Sequence, residues 1–212
     1  MYTILRYVVT FLFKIAFNIK FEGVENIPQQ GGVIFACNHR SYADPIMMAF
    51  KVKKPFSYMA KSELFKGNAF EKLIRFFGAF PVERGKGDLT IVDTCVDVLK
   101  SGRNLAIFPE GTRSKNGKLG RGKTGVALIA SQTGADVVPM AIVYGERLKF
   151  RTKIIVRYGK VIRAQDLQIT STSSLKEVRV LKKTIMGAIE ELLYKDGMPD
   201  FDKMEMESKA DA

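Results

Sequence analysis

Histidine occurs once in the 212 residues, at position 39, and cysteine twice, at positions 37 and 95. A single imidazole excludes a histidine-rich metal site, and any imidazole chemistry must run through His39. Neither cysteine stands in a metal-ligand spacing, so reduced thiols are the expected state of both. The chain has no internal repeat and no long linker. Its apolar front end lacks a small-residue cleavage site, which argues against a signal peptide. Two charges inside that stretch, Arg6 and Lys14, argue against a clean membrane span.

Hydrophobic residues make up 46% of the chain, enough to bury a core in one sizeable domain and to exclude global disorder. The net charge of +12, from 34 basic and 22 acidic residues, implies an anionic partner. Nucleic acid, an anionic membrane and a phosphate-bearing substrate all meet that description. Nothing but charge supports nucleic acid. No nucleic-acid-binding motif is present, and no such partner is expected.

Short apolar runs predict strands over 31–37, 79–82, 105–108, 137–143 and 153–158. Helices are expected over 62–77, 88–100 and 124–132, the last ending near Gly134. Asp44-Pro45 opens another, with Asp44 as its N-cap and Pro45 at the first helical position. Ser174 and Glu177 form a capping box for a helix running to about Tyr194. This alternation predicts an α/β fold: a single domain with a mixed, largely parallel sheet flanked by helices. The expected organisation is an amphipathic membrane-associating segment at 1–20, the domain at 21–195 and a polar, frayed tail at 196–212.

On a helical wheel the front end is two-sided. Arg6, Lys14 and Lys20 fall within an arc of about 120°, with Thr3, Tyr7 and Thr10 on the same side. Ile4, Val8, Phe11, Leu12, Ile15 and Ile19 lie opposite, and only Phe13 and Phe17 break the division. Such a helix fits a bilayer interface, its basic side at lipid headgroups. The same pattern also serves a helix packed on the domain's own core.

After the first strong strand the chain reads Asn38-His39-Arg40-Ser41-Tyr42-Ala43-Asp44-Pro45. Imidazole, with an ordinary pKa of about 6.5, is suited to take the proton of an attacking alcohol near neutral pH. A carboxylate on its other nitrogen fixes the tautomer and stabilises the imidazolium. Five positions along a regular helix turn through about 140°, which would separate the pair. They meet only if His39 lies in a turn and the helix starts near Asp44, as Pro45 favours. The plainer alternative is a capping aspartate beside a loop histidine. Cys37 next to His39 raises a thiol nucleophile as well, but alternation along the strand points Cys37 into the core.

Phe108-Pro109-Glu110-Gly111-Thr112-Arg113-Ser114 follows a second strand. A glycine-containing turn there can aim backbone N–H groups at an anion, and Arg113 offers a planar fork to a phosphate. From Gly111 to Ala135 there is no acidic residue, whereas Arg113, Lys115, Lys118, Arg121 and Lys123 are present. Anion binding and a merely solvated basic loop are the two readings. Arg84, at the end of 78–84, is either a second phosphate ligand or a surface partner of Glu83. Pro139, inside an apolar strand, implies a sheet edge or a bulge.

Taken in order, Asn38-His39 with Asp44, Gly78 to Arg84, Phe108 to Ser114 and Val137 to Met140 resemble the four motif blocks of the glycerolipid acyltransferases. The likeness is greatest to the 1-acyl-glycerol-3-phosphate acyltransferase group and spans about residues 20 to 145. It implies His39 as general base toward a glycerol hydroxyl, with Asp44 orienting it. It implies substrate binding by Arg84, Glu110, Gly111, Thr112, Arg113 and Lys123, and an acyl site shaped by the block of Pro139. Pro81 departs from the pattern, standing where that family usually carries a bulky apolar residue. The implied substrates are lysophosphatidate and an acyl donor, acyl-CoA or acyl-carrier protein, with no metal and no bound cofactor. The implied location is peripheral, on the cytoplasmic face of a bacterial membrane. Backbone donors near Gly111 are the expected oxyanion ligands. Glycerol 3-phosphate or another lysolipid as acceptor is the near alternative, and a non-catalytic lipid-binding protein the more distant one.

Overall fold

The front end divides at a point that its apolar pattern does not mark. Helix α1 covers Tyr2–Ala16, and strand β1 follows directly at Asn18–Glu22. Lys20, expected on the helix, therefore stands on a strand, and its ammonium meets Glu22 at 2.8 Å. The cause is tertiary. β1 lies parallel to β7 (Lys153–Tyr158), with Asn18 beside Lys153 and Glu22 beside Arg157. Alternation within Asn18–Glu22 lets Ile19 and Phe21 pack on the core while Lys20 stays in water.

The computed structural model describes residues 2–67, 69–82, 89–145, 147–163, 165–167 and 169–197. Arg84 and most of the expected tail lie outside them. The other elements are β2 (Ile34–Cys37), α2 (Asp44–Met48), β3 (Phe56–Lys61), α3 (Ala69–Phe76), β4 (Ala79–Val82), α4 (Leu89–Lys100), β5 (Asn104–Ile107), α5 (Gly125–Thr133), β6 (Val137–Val143) and α6 (Leu175–Tyr194). Among the described residues seven strands form one sheet in the order β1-β7-β6-β2-β5-β3-β4, and only the β6–β7 pairing of these strands is antiparallel, so the sheet is mixed and largely parallel, as expected. The helix expected over 62–77 is shorter: a 3-10 turn at Ser62–Leu64 comes first, and Gly67, at φ 75°, separates it from α3. Strand β3 before it is not among the strands expected from the apolar runs.

The sheet separates two apolar layers. On one face Phe35, Cys37, Met47, Met48, Phe56, Met140 and Ile142 form a core that Phe13 of α1 and Phe17, just beyond its end, cover. On the other, Ile34, Leu105, Ile107 and Val137 meet residues of α4, α5 and α6, including Leu99, Ala127, Ile185 and Ile189. The capping box holds the start of α6: Ser174 N donates to the Glu177 carboxylate at 2.6 Å, and Glu177 N to Ser174 Oγ at 3.4 Å. At Gly78, with φ 91°, a Cβ would stand 2.1 Å from Phe56 O, so only glycine lets the chain enter β4 beside β3.

Pro139 corrects one alternative and bears out the other. β6 is an interior strand, flanked by β2 and β7, so no edge accommodates the proline. The β6–β7 ladder pairs Met140 with Tyr158, yet the next bridge joins Val137 to Ile162. Val138 and Pro139 thus face Gly159, Lys160 and Val161, which is a bulge, and the absent N–H costs no ladder bond there.

Arg157, on β7, is 1% exposed. Its guanidinium reaches Glu22 at 3.0 Å, the Leu192 carbonyl at 2.7 Å and Asp196, which ties β1 to the end of α6. Lys20 first, and then Arg157, hold the Glu22 carboxyl down at about 2, against the opposing effect of burial. A depressed carboxyl stabilises the fold above its ordinary value and ceases to do so as pH falls toward 2. Glu22→Gln is expected to lose about 1.5–3 kcal/mol at neutral pH and almost nothing near pH 2, as read by denaturant unfolding at both. A penalty independent of pH would contradict this role.

Candidate active site

Two adjacent parallel strands, β2 and β5, end side by side, and both motif segments leave from their carboxyl ends. Buried Asn38 closes the end of β2: its Nδ2 donates to Ile142 O at 3.1 Å, and its Oδ1 accepts from Ile142 N at 2.8 Å. That pair fixes β2 to β6 and sets the next residue, His39, at the top of the sheet.

His39 lies in the irregular segment between β2 and α2, a turn at Tyr42–Ala43 follows, and α2 starts at Asp44, so the two side chains meet. His39 Nδ1 and Asp44 Oδ2 are 2.9 Å apart. The same oxygen accepts the backbone N–H groups of Arg40 and Ser41, each at 2.7 Å. The expected N-cap role is corrected. Ala43 holds that position, Asp44 is the first helical residue, and its carboxylate points back into the preceding turn. Asp44 is 1% exposed, the His39 side chain 13%. The imidazole lies flat on Phe108, with ring centroids 3.9 Å apart and planes at 18°. Nδ1 is engaged, and Nε2 is the nitrogen left for an incoming proton.

Glu110 comes from the end of β5 and is buried. Its Oε1 accepts the His39 backbone N–H at 2.8 Å and its Oε2 the Gly120 N–H at 2.7 Å. Burial pushes its carboxyl up, while those two N–H groups pull it down less strongly. Both oxygens are therefore occupied by backbone, and Glu110 joins the histidine turn to the basic loop. Ser114 N adds a second tie, donating to His39 O at 2.7 Å.

Gly111 has φ 69°, and a Cβ there would come within 3.0 Å of Lys123 Cε and Nζ. The lysine chain thus lies over the glycine, which the two positions in sequence do not suggest. The Gly111 N–H donates to Phe108 O at 2.9 Å, so it is spent within the turn rather than aimed at an oxyanion. Arg113 stacks on the exposed Tyr42 ring, 3.8 Å from its centroid, and donates to the Tyr42 hydroxyl at 3.0 Å. Thr112, Ser114, Lys115, Gly120 and Arg121 line, with Glu110, a cavity of about 340 Å³. Pro139 sits apart from this group, its ring against Gly159 beside Leu192 of α6.

Three contributors escaped sequence reasoning: Phe108 as a stacking floor, Tyr42 as a rest for Arg113, and Arg40. The Arg40 guanidinium donates to the Tyr144 and Gly145 carbonyls at 2.6 and 2.8 Å and lies over the Tyr144 ring. An aromatic residue closing the strand before Pro109 was the available signal for Phe108.

Cys37 is fully buried in the core beside Met47, and burial first, then the charges of Asp44 and Glu110, raises its thiol well above the usual range. Replacing Cys37 and Cys95 together by alanine is expected to leave kcat within about threefold of wild type, since a thiol must ionise to be a nucleophile. Loss of turnover in a variant that still melts cooperatively would restore the thiol alternative.

A family model described as Acyltransferase matches residues 18–143. The chain is 34% identical over 184 residues to the 1-acyl-sn-glycerol-3-phosphate acyltransferase of Streptococcus pneumoniae, covering 84% of this chain and 68% of that protein. It is 30% identical over 149 residues to the chloroplastic 1-acyl-sn-glycerol-3-phosphate acyltransferase LPAT1 of Arabidopsis thaliana, covering 68% of this chain but 42% of that longer protein. The crystal structure of the 1-acyl-sn-glycerophosphate (LPA) acyltransferase PlsC from Thermotoga maritima shares the fold, with a TM-score of 0.70 at 24% identity over 90% of this chain and 79% of that one. On the extent of the family match and of the pneumococcal alignment, this chain belongs to the acyltransferase family.

Proposed function

We infer that the chain moves a fatty acyl group from a thioester to the sn-2 hydroxyl of 1-acyl-sn-glycerol 3-phosphate, giving phosphatidic acid and a free thiol. The observation that carries this is the His39–Asp44 pair, 2.9 Å apart beside the basic loop. His39 Nε2 takes the hydroxyl proton as the oxygen attacks the thioester carbonyl. The tetrahedral intermediate collapses, the C–S bond breaks, and the imidazolium returns the proton to the leaving thiolate. Asp44 holds the tautomer and stabilises the transient positive charge. The thioester is already activated, so the step requires neither a protein nucleophile nor a cofactor.

In this mechanism the acceptor phosphate lies against Arg113 and Lys123, with Thr112 and Gly111 lining its approach, and the resemblance adds Arg84 to the phosphate ligands. Glu110 acts through position, and Pro139 through the bulge in the first half of β6. Acyl-CoA and acyl-carrier protein both satisfy the donor chemistry, and a basic loop suits either anion. We place the protein on the cytoplasmic face of a bacterial membrane, held by α1. The residues that broke its two-sided pattern are the ones that pack inward: Phe13 meets Phe50 with centroids 5.4 Å apart. The apolar stripe stays outward, with Val8, Phe11, Leu12 and Ile15 between 47% and 64% exposed. No described helix is long and apolar enough to cross a membrane.

The test is an acceptor panel in vesicles, with 1-acyl-sn-glycerol 3-phosphate, glycerol 3-phosphate and other lysolipids, scored by product. Phosphatidate formation, equal to thiol released, is expected. Product from glycerol 3-phosphate alone would move the assignment to that acceptor, and no product from any would leave a lipid-binding protein.

A further inference from the structure

The turn between β6 and β7 presents a phenylalanine to solvent in a way its own packing does not require. Phe150 is 74% exposed. The turn beneath it is closed twice: Thr152 N donates to Lys149 O at 3.0 Å, and Lys149 N donates to Thr152 Oγ1 at 2.8 Å. Arg151, at φ 64°, is the only non-glycine residue with positive φ among the described residues. A conformation that L residues avoid is held here, next to the exposed ring.

The turn sits against the end of α1. Arg151 N donates to Ala16 O at 2.7 Å, and Asn18 N to Thr152 O at 3.0 Å. Ala16 follows Ile15, the last residue of the exposed stripe on α1. From Arg147 to Lys153 the chain carries Arg147, Lys149, Arg151 and Lys153 and no acidic residue. An aromatic tip ringed by cations, beside an exposed aliphatic stripe, matches the two layers of an anionic leaflet: headgroup phosphates and the acyl boundary below them. We propose that this turn is a second lipid-contact site, with Phe150 in the acyl boundary and Lys149 and Arg151 at headgroup phosphates. It rests on the reading of α1 as membrane-held.

The site also has a route to the chemistry. At the root of the same hairpin, the Tyr144 and Gly145 carbonyls accept from Arg40, whose backbone N–H is held by Asp44. Seating the turn in lipid therefore sets the height of the His39 turn above the leaflet.

The chain contains no tryptophan, so Phe150→Trp and Phe11→Trp each create a single reporter. Both are to be mixed with phosphatidylglycerol vesicles and with vesicles carrying brominated acyl chains. The expected result is a blue shift and bromine quenching at both positions. Phe150→Ser should weaken partitioning about tenfold, and Lys149→Glu at least about fivefold, an effect lost in high salt. Both positions are exposed, so neither change threatens the fold. A reporter at 11 that enters lipid while the one at 150 stays in water overturns the second contact and spares α1. Reporters that both stay in water overturn the membrane reading, and the second contact with it.

Discussion

Replacing His39 by alanine is expected to lower kcat by about 10²–10⁴-fold, with the fold retained. The side chain is partly exposed, and Asp44 keeps its two backbone donors, Arg40 and Ser41, after the imidazole is gone. Asp44→Asn should cost a similar factor in kcat for a different reason. A neutral carboxamide oxygen in the place of Oδ2 meets the same three donors more weakly and cannot stabilise the imidazolium, and in the other orientation its N–H₂ group faces them and favours the wrong imidazole tautomer. The two variants separate in stability. Asp44→Asn should lose about 1–3 kcal/mol, because its loss reaches the backbone, whereas His39→Ala should melt close to wild type. Equal kcat in wild type and His39→Ala would remove imidazole as the base.

Glu110→Ala should be the most damaging change in the molecule outside that pair. It leaves the His39 and Gly120 N–H groups without their acceptor; Gly120 is exposed to water and His39 half-buried, so the loss is about 1–3 kcal/mol in total. For a chain of this size that lowers Tm by about 3–10 °C. It should also lower kcat more than it raises the acceptor KM, since it releases the segment that carries His39, the proposed base. Glu110→Gln keeps one acceptor and should fall between. A Glu110→Ala variant that melts normally but loses only acceptor affinity would assign the carboxylate to substrate instead.

Much of the site was legible because its parts are local. Pro45 stands in the first turn of α2, so a helix start near Asp44 was legible, although Asp44 itself takes the helical backbone that a following proline disfavours. The apolar runs of β2, β5 and β6 are buried on both faces and read as such. What stayed hidden depends on distant partners. β1 becomes a strand only because β7, over a hundred residues later, offers a parallel ladder, so a wheel drawn through Lys20 ran past the true helix end. Glu110 looks like a phosphate-loop acid until its carboxylate is seen on the His39 N–H. The bulge that admits Pro139 belongs to β7 as much as to β6. Phe13 in α1 and Phe17 just after it, exceptions on the wheel, pack inward and leave the regular face of α1 outward.

The most direct measurement is thiol release from an acyl thioester under single-turnover conditions, with and without 1-acyl-sn-glycerol 3-phosphate, for wild type and His39→Ala. Direct transfer predicts release by wild type only when the acceptor is present, with the new ester at sn-2 and no acylated protein by mass spectrometry. It predicts almost none from His39→Ala. A burst of thiol without acceptor, accompanied by an acyl adduct on the protein, would contradict it, as would undiminished transfer by His39→Ala.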